Sequence, residues 1–128
     1  MTEPLELQLL PDRLAVCRLD TKDESPLRAR SGVFSVTRTV DELSVICPEE
    51  DAPDGAEISS GWRALKVRGP LDHTLTGVLA SIAAPLAEAQ VALFPLATFD
   101  TDYVLVQEGD VDRATGALEA AGHRVAPR

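Results

Sequence analysis

Apolar and polar positions alternate with two different periods along this 128-residue chain, and the change of period divides it into halves. In the first half the period is two. Leu5, Leu7 and Leu9 alternate with Glu6 and Gln8, the pattern of a half-buried strand, and Pro11-Asp12 reads as a turn after it. Leu14 to Leu19 is a second apolar run. Asp20 to Arg30 is polar and contains Pro26, so it reads as loop. Val33 to Thr39 and Leu43 to Cys47 are rich in β-formers, and Val40-Asp41-Glu42 between them is a plausible hairpin connection. Pro48 to Glu57, acidic and interrupted by Pro53 and Gly55, reads as a solvated loop.

From Gly61 onward strand and helix signals alternate. Trp62 to Arg68 reads as a strand that Gly69-Pro70 ends. Leu75, Val78, Leu79, Ile82 and Leu86 form one stripe at helical spacing, with Asp72 or Thr74 as N-cap and Pro85 as the residue that ends or kinks the helix. Val91 to Ala97 reads as a strand carrying Pro95, and Tyr103 to Val106 as its antiparallel neighbour across Phe99 to Asp102. Asp110 is placed to cap a second helix whose inward positions are Val111, Ala114, Leu118 and Ala121, and Gly122 to end it. His123 to Val125 completes the series as a short strand. The order βαββαβ is that of a ferredoxin-like unit, an antiparallel sheet with both helices on one face. The expected fold is therefore α+β with two tandem subdomains. Residues 60–128 form the complete unit, and residues 1–59 a degenerate, strand-rich copy of about four strands.

Composition narrows the function. Apolar residues at 45% and charged residues at 26% are globular proportions. A net charge of −9 repels phosphate backbones and anionic lipids, which sets nucleic acid and membrane surfaces aside as partners. The opening MTEPLELQLL lacks the basic start of a secretory leader, and no apolar run approaches the roughly 18 residues of a membrane span, so a cytoplasmic protein is expected. Cys17 and Cys47 lie in apolar strand-like runs without CxxC spacing, as buried thiols do; a disulfide between them is the alternative, which a cytosolic setting disfavours. His73 and His123 stand in no metal-ligand spacing, and no metal or cofactor is expected. His73 reads as an exposed turn residue. No GxSxG, GxxxxGK[ST] or Cys/His pairing is legible, so catalysis is not expected.

The run LTGVLASIAAPLAEA followed by LATFDTDYVLV, together with VFSVTRTVDELSVICPEE in the first half, resembles the ACT proteins of the CASTOR-related group over nearly the whole chain. The resemblance implies a non-catalytic regulatory module that binds a small ligand, commonly an amino acid, where copies meet. Because this chain carries half of what the arginine sensor of that group carries, it also implies a homodimer.

The same resemblance implies the ligand residues. Thr76, Gly77, Val78 and Leu79 correspond to a glycine-containing ligand loop, Ala92 and Leu93 to a strand offering carbonyls, and Thr98, Phe99 and Asp102 to the hairpin beside it. The chemistry agrees, since an amino acid needs concentrated amide donors for its carboxylate, which a helix start supplies, and acceptors for its ammonium. Ala92 and Ala97 stand where related sequences often carry Ser, which leaves backbone contacts there and removes hydroxyls. Alternatives stay open for several of these residues. Gly77 can serve close packing, Asp100 and Asp102 the turn, and Phe99 the core. A second class of function, a protein–protein module with a vestigial pocket docking an unidentified regulated protein, fits the acidic surface too.

Overall fold

A computed structural model describes residues 3–127. The elements run β1 (Glu6–Leu19), β2 (Ser35–Arg38), β3 (Leu43–Pro48), β4 (Glu57–Val67), α1 (Val78–Glu88), β5 (Phe94–Ala97), β6 (Asp102–Gln107), α2 (Val111–Ala120) and β7 (Arg124–Ala126), with short 3-10 turns at Glu49–Asp51 and Glu108–Asp110. They group into two compact units. One holds Asp12–Trp62; the other holds the described residues up to Pro11 together with those from Arg63 onward. The first strand residues, read from sequence with the N-terminal half, thus pack with the C-terminal one.

That second unit has the βαββαβ order from β4 to β7, but its sheet runs β7-β1-β4-β6-β5. The opening of β1 is inserted next to the last strand, with Glu6 opposite Arg124 and Leu7 opposite Val125 in parallel register. Backbone bonds secure it on both sides: the Arg68 amide donates to the Glu6 carbonyl at 2.8 Å, and the Arg124 amide to the Leu5 carbonyl at 2.9 Å. The alternation of Leu5, Leu7 and Leu9 explains the insertion, because it gives this segment an apolar face. Leu7 joins Val125, Leu65, Val67, Val104 and Val106 in the core against Val78, Ile82 and Leu86 of α1 and Ala114 and Leu118 of α2. The i, i+4 spacing of these helical residues makes the buried stripe narrow.

Several expectations change here. Pro11-Asp12 is not a turn; β1 passes through it. Pro11 falls between the residues that pair with β7, Glu6 to Gln8, and those that pair with β3, Leu14 to Leu19. The first half therefore has three strands before β4. Helix α1 begins at Val78, capped by Gly77 and not by Asp72 or Thr74, which leaves Leu75 outside it and 55% exposed, while Leu79, within the helix but off its buried face, is 40% exposed. Strand β5 starts at Phe94, three residues later than expected. Pro85 lies inside α1, which continues to Glu88.

The helix tolerates that proline because of His123. Pro85 has no N–H for the half-buried Ser81 carbonyl four residues earlier, and a carbonyl removed from water without a donor is costly. His123 Nε2 supplies the donor at 3.0 Å, while its Nδ1 accepts the Leu5 amide at 3.0 Å. One buried neutral imidazole, protonated on Nε2, thereby joins α1 to the start of β1.

The unit of residues 12–62 is built on its own core. Ala15, Cys17 and Leu19 face Leu43, Val45 and Cys47 across the antiparallel β1–β3 pair, with Leu27, Ala52 and Ala56 packed against them. β2 pairs with β3 through the Thr39–Glu42 turn, whose Thr39 amide donates to the Glu42 carbonyl at 2.9 Å. Both cysteines are free and buried. Desolvation, reinforced by the neighbouring Cys17, pushes the Cys47 thiol up to about 12, so it stays protonated and unreactive at neutral pH.

Replacing His123 with Ala is expected to lower unfolding free energy by about 2–4 kcal/mol, because both the Leu5 amide and the Ser81 carbonyl lose their partner. Guanidinium denaturation measures this; a variant as stable as the parent would show that neither bond matters.

Candidate functional site

Two turns meet at one end of the second unit's sheet. The first joins β4 to α1, and the second joins β5 to β6. Their approach is set by the end of β4, where the buried Thr101 hydroxyl donates to the Val67 carbonyl at 2.6 Å. The Leu71 amide then donates to the Asp100 carbonyl at 2.7 Å. Gly69 lies where the two turns touch. A Cβ there would stand 3.0 Å from the Asp100 carbonyl oxygen and 3.1 Å from the Leu71 nitrogen, so any side chain would push the turns apart.

Each turn is also stiffened from within. Thr98 donates to the Thr101 carbonyl through its amide at 2.9 Å and its hydroxyl at 3.0 Å. The Asp72 carboxylate accepts the Thr74 amide at 2.8 Å and the Thr74 hydroxyl at 2.7 Å. These bonds, the hydroxyl first, hold the Asp72 carboxyl below the ordinary carboxylate range. His73 bridges the turns: Nε2 donates to the Phe99 carbonyl at 2.6 Å, and the two rings stand edge to face, 4.6 Å apart at 81°.

Helix α1 starts beside them. Gly77 has φ 81° and ψ 0°, the left-handed region that a side chain disfavours, and this turns the chain into the helix. Its carbonyl accepts the Ser81 amide at 2.9 Å, and as N-cap it brings no side chain of its own to the first turn. The amides at that end carry the positive end of the helix dipole.

Between the turns is an open depression of about 190 Å³. Leu71 to His73, Leu75 and Val78 form one side, and Thr98 to Asp102 the other. Of the residues singled out from sequence, Val78, Thr98, Phe99 and Asp102 are brought together here. Thr76, Gly77 and Leu79 adjoin it at the helix start without lining it. Ala92 and Leu93 do not line it either: they lie in the connection before β5, not in a strand, with Ala92 exposed and Leu93 packed on the core. Phe99 is not a core residue but 82% exposed. Sequence reasoning missed the structural parts of His73 and Thr101, whose partners are 26 and 34 residues away and leave no local pattern.

The depression is acidic, with Asp72, Asp100 and Asp102 around it, and its rim is apolar where Leu75 and Phe99 project outward. Such a surface can hold a cationic group and seat another apolar surface. Among the described residues no group of three or more His, Cys, Asp and Glu side chains is placed to hold a metal ion. No described helix is long and apolar enough to cross a membrane.

Fold and site define an α+β module with a depression at the sheet end, between the strand-to-helix turn and a hairpin. Comparison with known proteins gives the family. The sequence model of the ACT domain matches residues 57–120, and the model of a separate N-terminal domain matches residues 12–55. The cytosolic arginine sensor for mTORC1 subunit 1 of Bos taurus is 31% identical over 97 residues, which are 67% of this chain and 30% of the sensor. This chain thus spans under a third of that relative. A crystal structure of an Agrobacterium tumefaciens protein superposes with a TM-score of 0.88 at 31% identity, covering 97% of this chain and 93% of that one. The regulatory subunit of Thermus thermophilus aspartate kinase shares the fold at a TM-score of 0.63 and 10% identity, over 91% of this chain and 96% of the subunit. The chain belongs to the ACT domain family and is related, within it, to the CASTOR arginine sensor.

Thr101→Val keeps the shape of the side chain and removes its hydroxyl, so the buried Val67 carbonyl loses its donor. A loss of about 1–3 kcal/mol in denaturant unfolding is expected. An unchanged midpoint would mean that the bond does not hold the hairpin in place.

Proposed function

We propose that this protein is a non-catalytic regulatory module that binds an amino acid in the depression between its two turns, with a second copy of the chain closing the site. The observation that carries the reading is the meeting of a glycine-capped helix start with a hairpin rich in carboxylates. Amides at Thr76 to Leu79 suit a ligand carboxylate, and Asp102, with Asp72 and Asp100 nearby, suits an ammonium. Thr98 and Phe99 give the wall its shape. The carbonyls of Ala92 and Leu93 remain as acceptors for the ligand or the second copy.

Size and exposure support closure by another chain. A cavity of about 190 Å³ is smaller than the roughly 300–1,000 Å³ of enclosed ligand sites, so one copy supplies only part of a pocket. Leu75, Leu79 and Phe99 project around it and offer the apolar area that a homodimer would cover. Likeness to an arginine sensor and to a kinase regulatory subunit fits control of another protein by a bound amino acid, in the cytoplasm as for the cytosolic relative. A protein-docking module with an unused pocket is the second reading, favoured by the 82% exposure of Phe99.

Thermal unfolding of the purified chain in each of the twenty amino acids separates the two. A ligand at about 100 times its Kd adds about 2.7 kcal/mol of stability. The proposal expects such a shift with at least one amino acid, its loss in Asp102→Asn, and a dimer mass by light scattering. A monomer that responds to none of the twenty would overturn it.

A further inference from the structure

A second concavity, of about 540 Å³, lies on the sheet face away from the helices and is formed by β7, β1 and the end of β4. Along these strands Leu7, Val67 and Val125 point into the helix-covered core, so the alternate residues Glu6, Lys66, Arg68 and Arg124 point the other way. Three cations and one carboxylate give this groove a positive sign in a chain whose net charge is −9.

Their arrangement is ordered. Arg124 stands opposite Glu6 in the β1–β7 register, and the Arg68 amide bonds the Glu6 carbonyl from the other side, so the three form a row across adjacent strands. The Glu6 carboxylate accepts from Arg68 Nη1 at 2.7 Å and stands 3.8 Å from Arg124 Nη1. One carboxylate thus holds two guanidinium groups side by side. Each guanidinium has five N–H donors, of which the carboxylate can occupy only a few. Lys66 adds a third cation, with its ammonium 6.0 Å from the centre of the Tyr103 ring. Exposed ion pairs add little to stability, so folding alone does not account for gathering these charges.

We propose that the groove is an anion site, separate from the amino-acid depression, which takes a small polyanion of the polycarboxylate or phosphate class. Paired guanidinium forks match the planar oxygens of such groups, and the volume falls within the roughly 300–1,000 Å³ of small-molecule sites. The apolar side chains of Ala126 and Pro127 leave room for a short carbon skeleton.

Calorimetric titration of the whole chain with citrate and with inorganic pyrophosphate, against sodium chloride at matched ionic strength, tests this. Saturable binding of either polyanion is expected, weakened by about tenfold in Arg68→Gln or Arg124→Gln and abolished in the double variant. Binding of one and not the other identifies the carboxylate or phosphate class. Both side chains are exposed, so an unchanged thermal midpoint shows that the variants fold. Heat no greater than that from chloride, or equal binding by the double variant, overturns the proposal. Self-association that disappears in the double variant without polyanion binding also overturns it, in favour of an acidic segment of a second copy.

Discussion

The imidazole of His123 is the contact on which the architecture of the second unit depends. It accepts the amide that opens β1 and donates to the α1 carbonyl that Pro85 leaves without its helical partner. A helix interrupted by proline and a strand taken from the far end of the sequence are thereby fixed to each other. That strand separates β7 from β4 and places Leu7 in the core. The first and last strands are consequently neighbours in one sheet, and an extra strand enters the βαββαβ unit.

A second constraint acts at the other end of β4. Thr101 holds the hairpin to Val67, and Gly69 allows the two turns to approach more closely than a side chain there would accommodate without a shift. These contacts fix the depression in shape, and a preformed site of this kind would reduce the ordering cost of the proposed binding. The site residues inherit their positions from backbone bonds. The carboxylates of Asp100 and Asp102 lie where they do because the hairpin is closed by Thr98 and pinned by Thr101.

The features legible in the sequence were those with short-range causes. Periodicity gave β3, α2 and the Gly122 end of α2, because apolar spacing and a left-handed glycine act within a few residues. Val78, Thr98, Phe99 and Asp102 were legible through resemblance, and the structure gathers them around one depression. Long-range causes were hidden. Pro11 reads as a turn unless one knows that β1 changes partner there, from β7 before it to β3 after it. Pro85 reads as a helix end unless His123 is known to satisfy Ser81. Leu75 reads as buried only if the helix starts a turn early, and the φ of 81° at Gly77 sets the start later. His73 carries no local signal at all, since its role depends on a hairpin 26 residues away.

The central claim is that the start of α1 and the β5–β6 hairpin together recognise an amino acid. Amide chemical shifts of isotope-labelled protein, recorded while each of the twenty amino acids is added, address it most directly. The account expects one or a few of them to move the amides of Gly77 to Ala80 and of Thr98 to Asp102 together and to saturation. Unmoved amides with all twenty, or shifts confined to residues far from both segments, would contradict it.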